Sequence, residues 1–432
     1  MCIFCYLDNY KQYKVRKGIQ LRCDRFEHTL NKYKLSFISK FNSNLEEKLC
    51  EEHNTEYNKE ILNCLKNINI KDIDDFFEEL INIYISWINS QPKIAIESLE
   101  ELLSKKDILS FKVKMDGKVL FRGRNCNSFL SHWDMFHIPF NRRFLIGNQR
   151  YSLVGQPLLY LATSPYCVFK ELGGTEDIKI SSFRMAYNDT KENNLIFFNN
   201  SNNFNNLIET KEQLLTNSKL DSLICKEVDN NLIEKSFFQF ILYSCCSFSK
   251  KSFKTSYFCE EYVLPQILSQ VIKSHNNNEF QGIVFDSTRC FDDEKLATNH
   301  KVFDSLCKNI CVFTNYDSKE STTVGYVYDK VLYEKFSISA TLSYEHSSVE
   351  TEYYSTEKSL KLVNSLLSKQ LDNYHHNLLY EINDYIVTYE NIIINSIDNF
   401  ISKENKDLFM NSMNLHNLLL RNIILNVCDD LN

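Results

Sequence analysis

The segment Arg150–Leu172 reads RYSLVGQPLLYLATSPYCVFKEL and gives the clearest indication of the fold class. Its central run, PLLYLA, has the apolar residues of a short buried strand. The following SPYCVFKEL has the start of a helix, with Ser164 at the N-cap and Pro165 at the first helical position. We therefore expect a strand that leads directly into a helix, an arrangement that could bring Arg150, Tyr160 and Glu171 together.

The pattern of apolar residues changes on both sides of this segment. The run Asp72–Pro92 repeats apolar residues at intervals of three and four, as an amphipathic helix does, and the helical pattern covers about residues 46–106. From Phe111 short strand-like runs such as FKVKM, KVLFRG and GIVFDS alternate with turn residues. The helical period returns after Tyr354 and continues to the end of the chain.

These patterns predict an α+β protein with three regions. We expect a mostly helical N-terminal domain over residues 1–112, a mixed β and α domain over 113–350 and a helical tail over 351–432. The Asn-rich stretch 188–206, which contains LIFF, is either a surface loop or an edge hairpin. Three amphipathic helices cannot be stable alone, so the tail should pack on itself, on the central domain or on another subunit.

Charge and cysteine usage limit the partners and the compartment. The net charge of -7 lacks the basic excess that binding to a phosphate backbone needs, so nucleic acid is disfavoured as a partner. Fifteen cysteines at irregular spacing indicate reduced thiols and hence a cytoplasmic protein. We expect no signal peptide, because the first residues carry charges and have no continuous apolar run. The longest apolar run, Phe237 to Cys246, is about half the ~20 residues that a membrane span requires.

The N-terminal residues suggest two further sites. Cys2 and Cys5 form a Cys-x-x-Cys pair that could bind structural zinc together with Cys23 and His28. Free buried thiols are the alternative. Arg22 and His28 also fit the loose R-x4-6-H spacing of helical HEPN ribonucleases, which gives RNA cleavage as another interpretation of the same residues.

The spacing of Arg150, Tyr160 and Glu171 alone does not require a functional site. An exposed arginine, a half-buried tyrosine and a glutamate on a helix surface are common in any folded protein. The additional evidence is four sequence runs that occur in a fixed order along the chain. They are VLFRGR (119–124), RYSLVGQPLLYLATSPYCVFKEL (150–172), EEYVLPQ (260–266) and GIVFDSTR (282–289).

Together these runs resemble the RES domain family over roughly residues 113–315, in a longer member with helical additions at both ends. The resemblance implies an ADP-ribosyltransferase-like fold and cleavage of NAD+ between nicotinamide and ribose, with water or phosphate as acceptor. It implies functional roles for five residues. These are Arg122, Arg150, Tyr160, Glu171 and Ser287.

The implied roles suit the chemistry of NAD+. Glu171 would stabilise the cationic ribose of the transition state, and Tyr160 would hold the cationic nicotinamide ring. Arg122 and Arg150 would bind the pyrophosphate, although the assignment of Arg122 could shift by two residues to Arg124. Ser287 would hydrogen-bond the ribose or the carboxamide, or else cap a turn.

The resemblance makes NAD+ a substrate and not a redox cofactor, since no GxGxxG, GxxxxGK[ST] or HExxH run is present. We expect an NAD+ glycohydrolase or phosphorylase that acts as a growth-arresting toxin, in a toxin-antitoxin pair or in anti-phage defence. The helical ends would serve a homo-oligomer or a regulatory protein partner. Two alternatives remain, namely ADP-ribosylation of a macromolecule and a catalytically inert interaction module.

Overall fold

The computed structural model describes residues 1–23, 25–108, 112–114, 118–174, 177–185, 194–198, 230–250, 258–274, 280–317, 325–343, 356–369, 371–394 and 397–430. Its helices in chain order are α1 Ile3–Tyr6, α2 Asn9–Gln20, α3 Phe26–Leu45, α4 Glu56–Lys66, α5 Ile70–Ile88, α6 Pro92–Lys106, α7 His132–Met135, α8 Pro165–Leu172, α9 Asn230–Cys246, α10 Val263–Ser274, α11 Glu294–Thr298, α12 His300–Leu306, α13 Lys330–Glu334, α14 Thr356–Leu367, α15 Asn373–Ile394 and α16 Lys406–Asp430.

The strands form a single sheet. They are β1 Lys112–Lys114, β2 Val119–Asn125, β3 Leu158–Ala162, β4 Ile178–Met185, β5 Asn194–Phe198, β6 Phe280–Asp286, β7 Lys308–Phe313, β8 Phe336–Ile338 and β9 Leu342–Ser343. The strand order is β1-β5-β6-β7-β3-β2-β4-β8, with β9 beside β4. This α+β architecture with helical ends agrees with the predicted class at that coarse level. The LIFF run lies in β5, which pairs antiparallel with β1, and the rest of 188–206 lies outside the described residues.

The chain divides into two compact units. The helical unit contains residues 1–111, 148–153 and 198–277, and the sheet unit contains 112–147, 154–197 and 278–432. The sequence analysis instead placed 198–277 in a central domain and separated the tail from it. The grouping differs because α9 packs on α4 and α5, and α10 packs on α5 and α6. The C-terminal helices pack within the sheet unit.

Aromatic side chains fill the centre of the helical unit. The predicted amphipathic helix is confirmed as α5, which begins after the N-cap Asn69. Phe37 of α3 lies 5.6 Å from Phe77 of α5 and 6.1 Å from Phe237 of α9, measured between ring centroids. Ring contacts of this kind contribute beyond the apolar area that they bury. The apolar run of α9 is therefore part of a buried core.

The two faces of the sheet follow from the strand register. Cross-strand partners point to the same face, and the register pairs Tyr160 with Cys311 and Ala162 with Asn309. These residues therefore share the face covered by α8, which we call the α8 face. Leu120, Leu159 and Ile310 occupy the opposite face, which we call the α7 face. There they pack in one apolar cluster with Met135 of α7.

The strand-to-helix transition is as predicted. β3 covers the LLYLA part of the PLLYLA run, and α8 begins at Pro165 with Ser164 as the N-cap that accepts a hydrogen bond from Cys167 N. Gly173 ends the helix in the left-handed conformation, at φ 90°. Gly123 on β2 permits the close approach of α8, because a Cβ atom there would lie 2.4 Å from Val168 Cγ1.

The three predicted C-terminal helices are present as α14, α15 and α16. The ring of Phe409 on α16 lies 5.5 Å from the ring of Tyr166 on α8. Asp293 accepts hydrogen bonds from Ser402 Oγ at 2.8 Å and Asn405 Nδ2 at 2.9 Å. The tail therefore covers the helix that carries Glu171. Among the described residues, every helix is too short or too polar to cross a bilayer.

Candidate functional site

The carboxylate of Glu171 is the centre of a small hydrogen-bonded cluster in the sheet unit. Ser287 Oγ donates to Glu171 Oε1 at 2.6 Å, and Asn309 Nδ2 donates to the same oxygen at 2.7 Å. Glu171 is exposed, whereas Ser287 is fully buried. The arrangement fixes the direction of a solvent-accessible carboxylate by means of two neutral donors.

The ends of two neighbouring strands position these donors. Ser287 directly follows β6, and its N–H donates to Cys307 O at 2.8 Å. Its hydroxyl oxygen also accepts from Cys290 N at 3.3 Å, so the hydroxyl proton is directed toward Glu171. Ser287 therefore caps the turn, as one alternative predicted, and it also contacts the predicted catalytic glutamate. The predicted hydrogen bond to the ribose or the carboxamide stays a prediction.

Tyr160 and Arg122 meet where β2 and β3 lie side by side. Among the described residues, Phe121–Ala162 is the residue pair that joins these two strands. Tyr160 is half-buried, and its carbonyl accepts a hydrogen bond from Arg122 Nη1 at 2.7 Å. In a longer β2–β3 pairing, a backbone N–H of β2 would donate to the Tyr160 carbonyl. Here the Arg122 side chain makes that hydrogen bond instead.

Arg122 and Arg124 leave β2 toward the α7 face, because both alternate with Phe121 and Gly123. Burial is the main cause that lowers the pKa of Arg122 to about 9, and the neighbouring Arg124 adds to it. Arg124 Nη2 donates to Phe136 O at 2.9 Å. The sequence left either Arg122 or Arg124 as the phosphate-binding residue. In the structure the two are neighbouring positive charges on the same face of β2.

A cavity of about 280 Å³ opens beside Arg124. Two arginines and three large aromatic residues contribute to its wall, together with a carboxylate and smaller apolar groups. The lining residues are Arg124, Trp133, Asp134, Ile138, Pro139, Arg142, Leu145, Tyr326 and Tyr328. Positive charge combined with aromatic surface suits a ligand that has both an anionic group and a flat ring.

Arg150 lies in the helical unit, whereas the other four predicted residues lie in the sheet unit. Its Nη1 donates to Cys246 O at 2.7 Å and to Phe248 O at 3.0 Å. The guanidinium also lies 4.9 Å from the centre of the Tyr262 ring, and Tyr262 belongs to the EEYVLPQ run. These contacts are architectural, and the predicted phosphate-binding role of Arg150 stays a prediction.

The second half of the predicted zinc site is wrong. Cys2 and Cys5 form a cluster of potential metal ligands with Cys50 and His53, and not with Cys23 and His28. The reason is that α2 carries the chain away after Cys5, and the connection between α3 and α4 brings residues 50–53 back to the N-terminus. The missed signal is the Cys-x-x-His spacing of CEEH.

Arg22 and His28, the residues of the ribonuclease interpretation, are both exposed. His28, on the first turn of α3, contacts Arg25, the N-cap residue of this helix. RNA cleavage at this position stays untested.

Asn309 is the site residue that the sequence analysis missed. It is the second residue of the fully buried strand β7, between Lys308 and the apolar run ICVF. A polar side chain within such a run usually has a specific hydrogen-bond partner, and that anomaly was the available signal. Its partner Glu171 is 138 residues away in sequence, so only the fold reveals the contact.

Sequence comparison provides one distant relative. The chain is 26% identical over 321 residues to a protein of Bacillus subtilis (strain 168) named "Putative toxin YopC". The match covers 73% of this chain and 64% of that protein, so the chain spans less than two thirds of the relative's length. No protein-family profile and no solved structure matches the chain.

Proposed function

We propose that this chain degrades NAD+ by cleaving the bond between nicotinamide and ribose, and that it acts as a growth-arresting toxin. The observation that carries the proposal is the 2.6 Å hydrogen bond from Ser287 to Glu171. These two residues are 116 positions apart in sequence and were both assigned to the NAD+ site by the RES resemblance. The name of the Bacillus relative supports the toxin part of the proposal.

The exposed Glu171 carboxylate has the chemistry that this cleavage needs. Loss of nicotinamide leaves positive charge on the ribose, which a preorganised carboxylate stabilises more strongly in the transition state than in the ground state. Ser287 and Asn309 hold the carboxylate oxygen in place, so little reorganisation is needed. Water then adds to the ribose carbon to give ADP-ribose, or phosphate adds to give a ribose phosphate ester.

The surroundings of Glu171 supply binding groups for the rest of NAD+. Tyr160 shares the α8 face and would stack on the nicotinamide ring. The resemblance assigns the pyrophosphate to Arg122 or Arg124, but both side chains leave β2 toward the α7 face, opposite Tyr160. Their contact with the same NAD+ molecule therefore stays a prediction. The RES-type, ADP-ribosyltransferase-like fold belongs to the same proposal.

The test is to incubate the purified full-length chain with NAD+, with and without phosphate, and to quantify the products by liquid chromatography. Nicotinamide and ADP-ribose are expected with water as acceptor. Glu171→Gln keeps the hydrogen-bond acceptor but removes the charge, so turnover should fall about 10²–10³-fold. Glu334→Gln, an exposed change on α13 with the same loss of charge, is the control.

Two outcomes would contradict the proposal. If folded wild-type protein left NAD+ intact under both conditions, the inert interaction module would be the better reading. If Glu171→Gln consumed NAD+ at the wild-type rate, Glu171 would not be catalytic. Transfer of labelled ADP-ribose to a macromolecule, with little free ADP-ribose, would favour the transferase alternative.

A further inference from the structure

Four potential metal ligands converge at the start of the helical unit. Cys2 is the N-cap of α1 and Cys5 lies within this helix. Cys50 precedes the 3-10 helix Glu51–His53, and His53 is its last residue. Their ligand atoms all lie within 4.8 Å of one another. The two pairs have the spacings Cys-x-x-Cys and Cys-x-x-His, in which one short turn presents two ligands to one point.

The six distances between these atoms, 3.0–3.7 Å, approach the edges of a tetrahedron around one metal ion. The sulfur–sulfur distances are 3.4 Å for Cys2–Cys5, 3.6 Å for Cys2–Cys50 and 3.7 Å for Cys5–Cys50. His53 Nδ1 lies 3.5 Å from Cys2 Sγ, 3.5 Å from Cys5 Sγ and 3.0 Å from Cys50 Sγ. Zinc bonds of about 2.3 Å to sulfur and 2.0–2.1 Å to nitrogen give tetrahedral edges of about 3.8 Å and 3.6 Å.

Other interpretations of the cluster fit less well. A disulfide requires two sulfur atoms about 2.05 Å apart, whereas the three sulfurs here are almost equidistant. Thiolate and imidazole ligands in tetrahedral arrangement favour zinc over calcium or magnesium, which prefer oxygen. Four protein ligands complete the coordination, so the site has no open position for a substrate.

We propose that Cys2, Cys5, Cys50 and His53 bind one structural zinc ion through three thiolates and the Nδ1 atom of the histidine. The proposal is independent of the proposed NAD+ activity, because these residues lie in the helical unit and Glu171 lies in the sheet unit. The metal joins the N-terminal turn to the connection between α3 and α4.

The surroundings of the cluster are built to hold both ligand pairs. Ile3, Phe4 and Tyr6 of α1 are buried, and the Tyr6 hydroxyl donates to Phe37 O at 3.3 Å. Asn58 Nδ2 donates to His53 O at 3.0 Å, which fixes the second pair. A metal ion here would anchor the short helix α1, whose four residues are too few to be stable alone.

The experiment measures the metal content of the full chain. Protein purified in reductant without chelator is expected to contain about one zinc per chain by elemental analysis. Cys50→Ser and His53→Ala should each lose most of it. Cys64→Ser, a half-exposed thiol outside the cluster, and His28→Gln, from the set predicted by sequence, should keep it.

A variant that fails to fold would lose zinc for reasons unrelated to the ligand that was replaced. Cobalt substitution of the wild-type protein tests the site without a variant. Co²⁺ added to chelator-treated protein should produce thiolate charge-transfer and intense visible bands of a tetrahedral site, and Zn²⁺ should abolish them. Absence of zinc from wild-type protein together with absence of these bands would overturn the proposal. So would a Cys50→Ser protein with the zinc content of the wild type.

Discussion

The four sequence runs on which the family resemblance rests are divided between the helical unit and the sheet unit. Their polar side chains have different kinds of partner in the two units. In the helical unit, Arg150 donates to two backbone carbonyls, and the Gln266 amide donates to Gln149 O at 2.8 Å and Ser152 O at 3.1 Å. In the sheet unit, Ser287 and Asn309 direct their donors at one exposed carboxylate. Arg150 and Gln266 pair backbone carbonyl groups. Ser287 and Asn309 instead hold the carboxylate of Glu171, which is exposed to solvent.

This difference indicates that a family-like sequence run can mark architecture as well as chemistry. Buried carbonyl groups must be paired, and a buried arginine or glutamine that pairs several of them is costly to replace. An exposed carboxylate held by two donors adds little to stability. Variants in the two units should therefore change different quantities, and the following predictions test that division.

The largest effect is expected from Asn309→Asp. Two adjacent carboxylates repel each other when both are ionised, so the introduced carboxylate and Glu171 would share one proton. The negative charge that Glu171 offers to the ribose would then be reduced. NAD+ turnover should fall about 10²-fold or more, while the melting temperature changes little. Asn315→Asp, an exposed change just beyond the same strand, is the matched control. Wild-type turnover in Asn309→Asp would remove Asn309 from the site.

An acid titration should reveal the next largest effect, on the stability of the sheet unit. His137 Nε2 accepts from Asp329 N–H at 3.0 Å, so Nδ1 carries the proton and donates to Ile138 O at 2.8 Å. Burial lowers the pKa of His137 to about 4. The unfolded chain binds this proton near pH 6.5, so stability is present above that pH and is lost as pH falls toward 4, by up to about 3 kcal/mol.

Urea unfolding at pH 7.5 and pH 5 measures this loss. His137→Gln should reduce the difference between the two pH values, and His132→Gln, an exposed change on α7, should preserve it. Burial also lowers the pKa of His416, to about 3, so the His137→Gln protein should retain part of the slope. An unchanged slope in His137→Gln would contradict the assignment.

The smallest effect is expected from Arg150→Lys. Lysine keeps the charge but loses the fixed geometry that reaches both carbonyls, so the free energy of unfolding should fall by about 1 kcal/mol. The KM for NAD+ should stay at the wild-type value, whereas Arg124→Lys should raise it. A raised KM in Arg150→Lys would instead support the phosphate-binding role that the resemblance implies.

The sequence predicted the local elements well. The strand β3, the cap and first turn of α8, the place of Ser287 after β6 and the three C-terminal helices all follow from apolar period and turn chemistry over short windows. These features depend on neighbours in sequence. The pattern in such a window is therefore sufficient to find them.

The features that depend on distant partners were not predictable in the same way. Apolar periodicity shows that α9 buries a face but not that the face meets the N-terminal helices. The proposed metal ligands Cys50 and His53 lie 45 residues or more from Cys5. A pattern over a short window does not show which distant residues meet. The pair Cys2 and Cys5 meets the pair Cys50 and His53 because α1 packs on α3.

The cover of α8 by the C-terminal segment has a consequence for synthesis of the chain. Glu171 emerges from the ribosome long before Asn405 and Phe409, the tail residues that contact Lys170 and Tyr166 of α8. At about 5–20 residues per second, the delay is on the order of ten seconds or more. A nascent chain therefore carries Glu171 on a helix that the tail does not contact until the residues around Phe409 have been made.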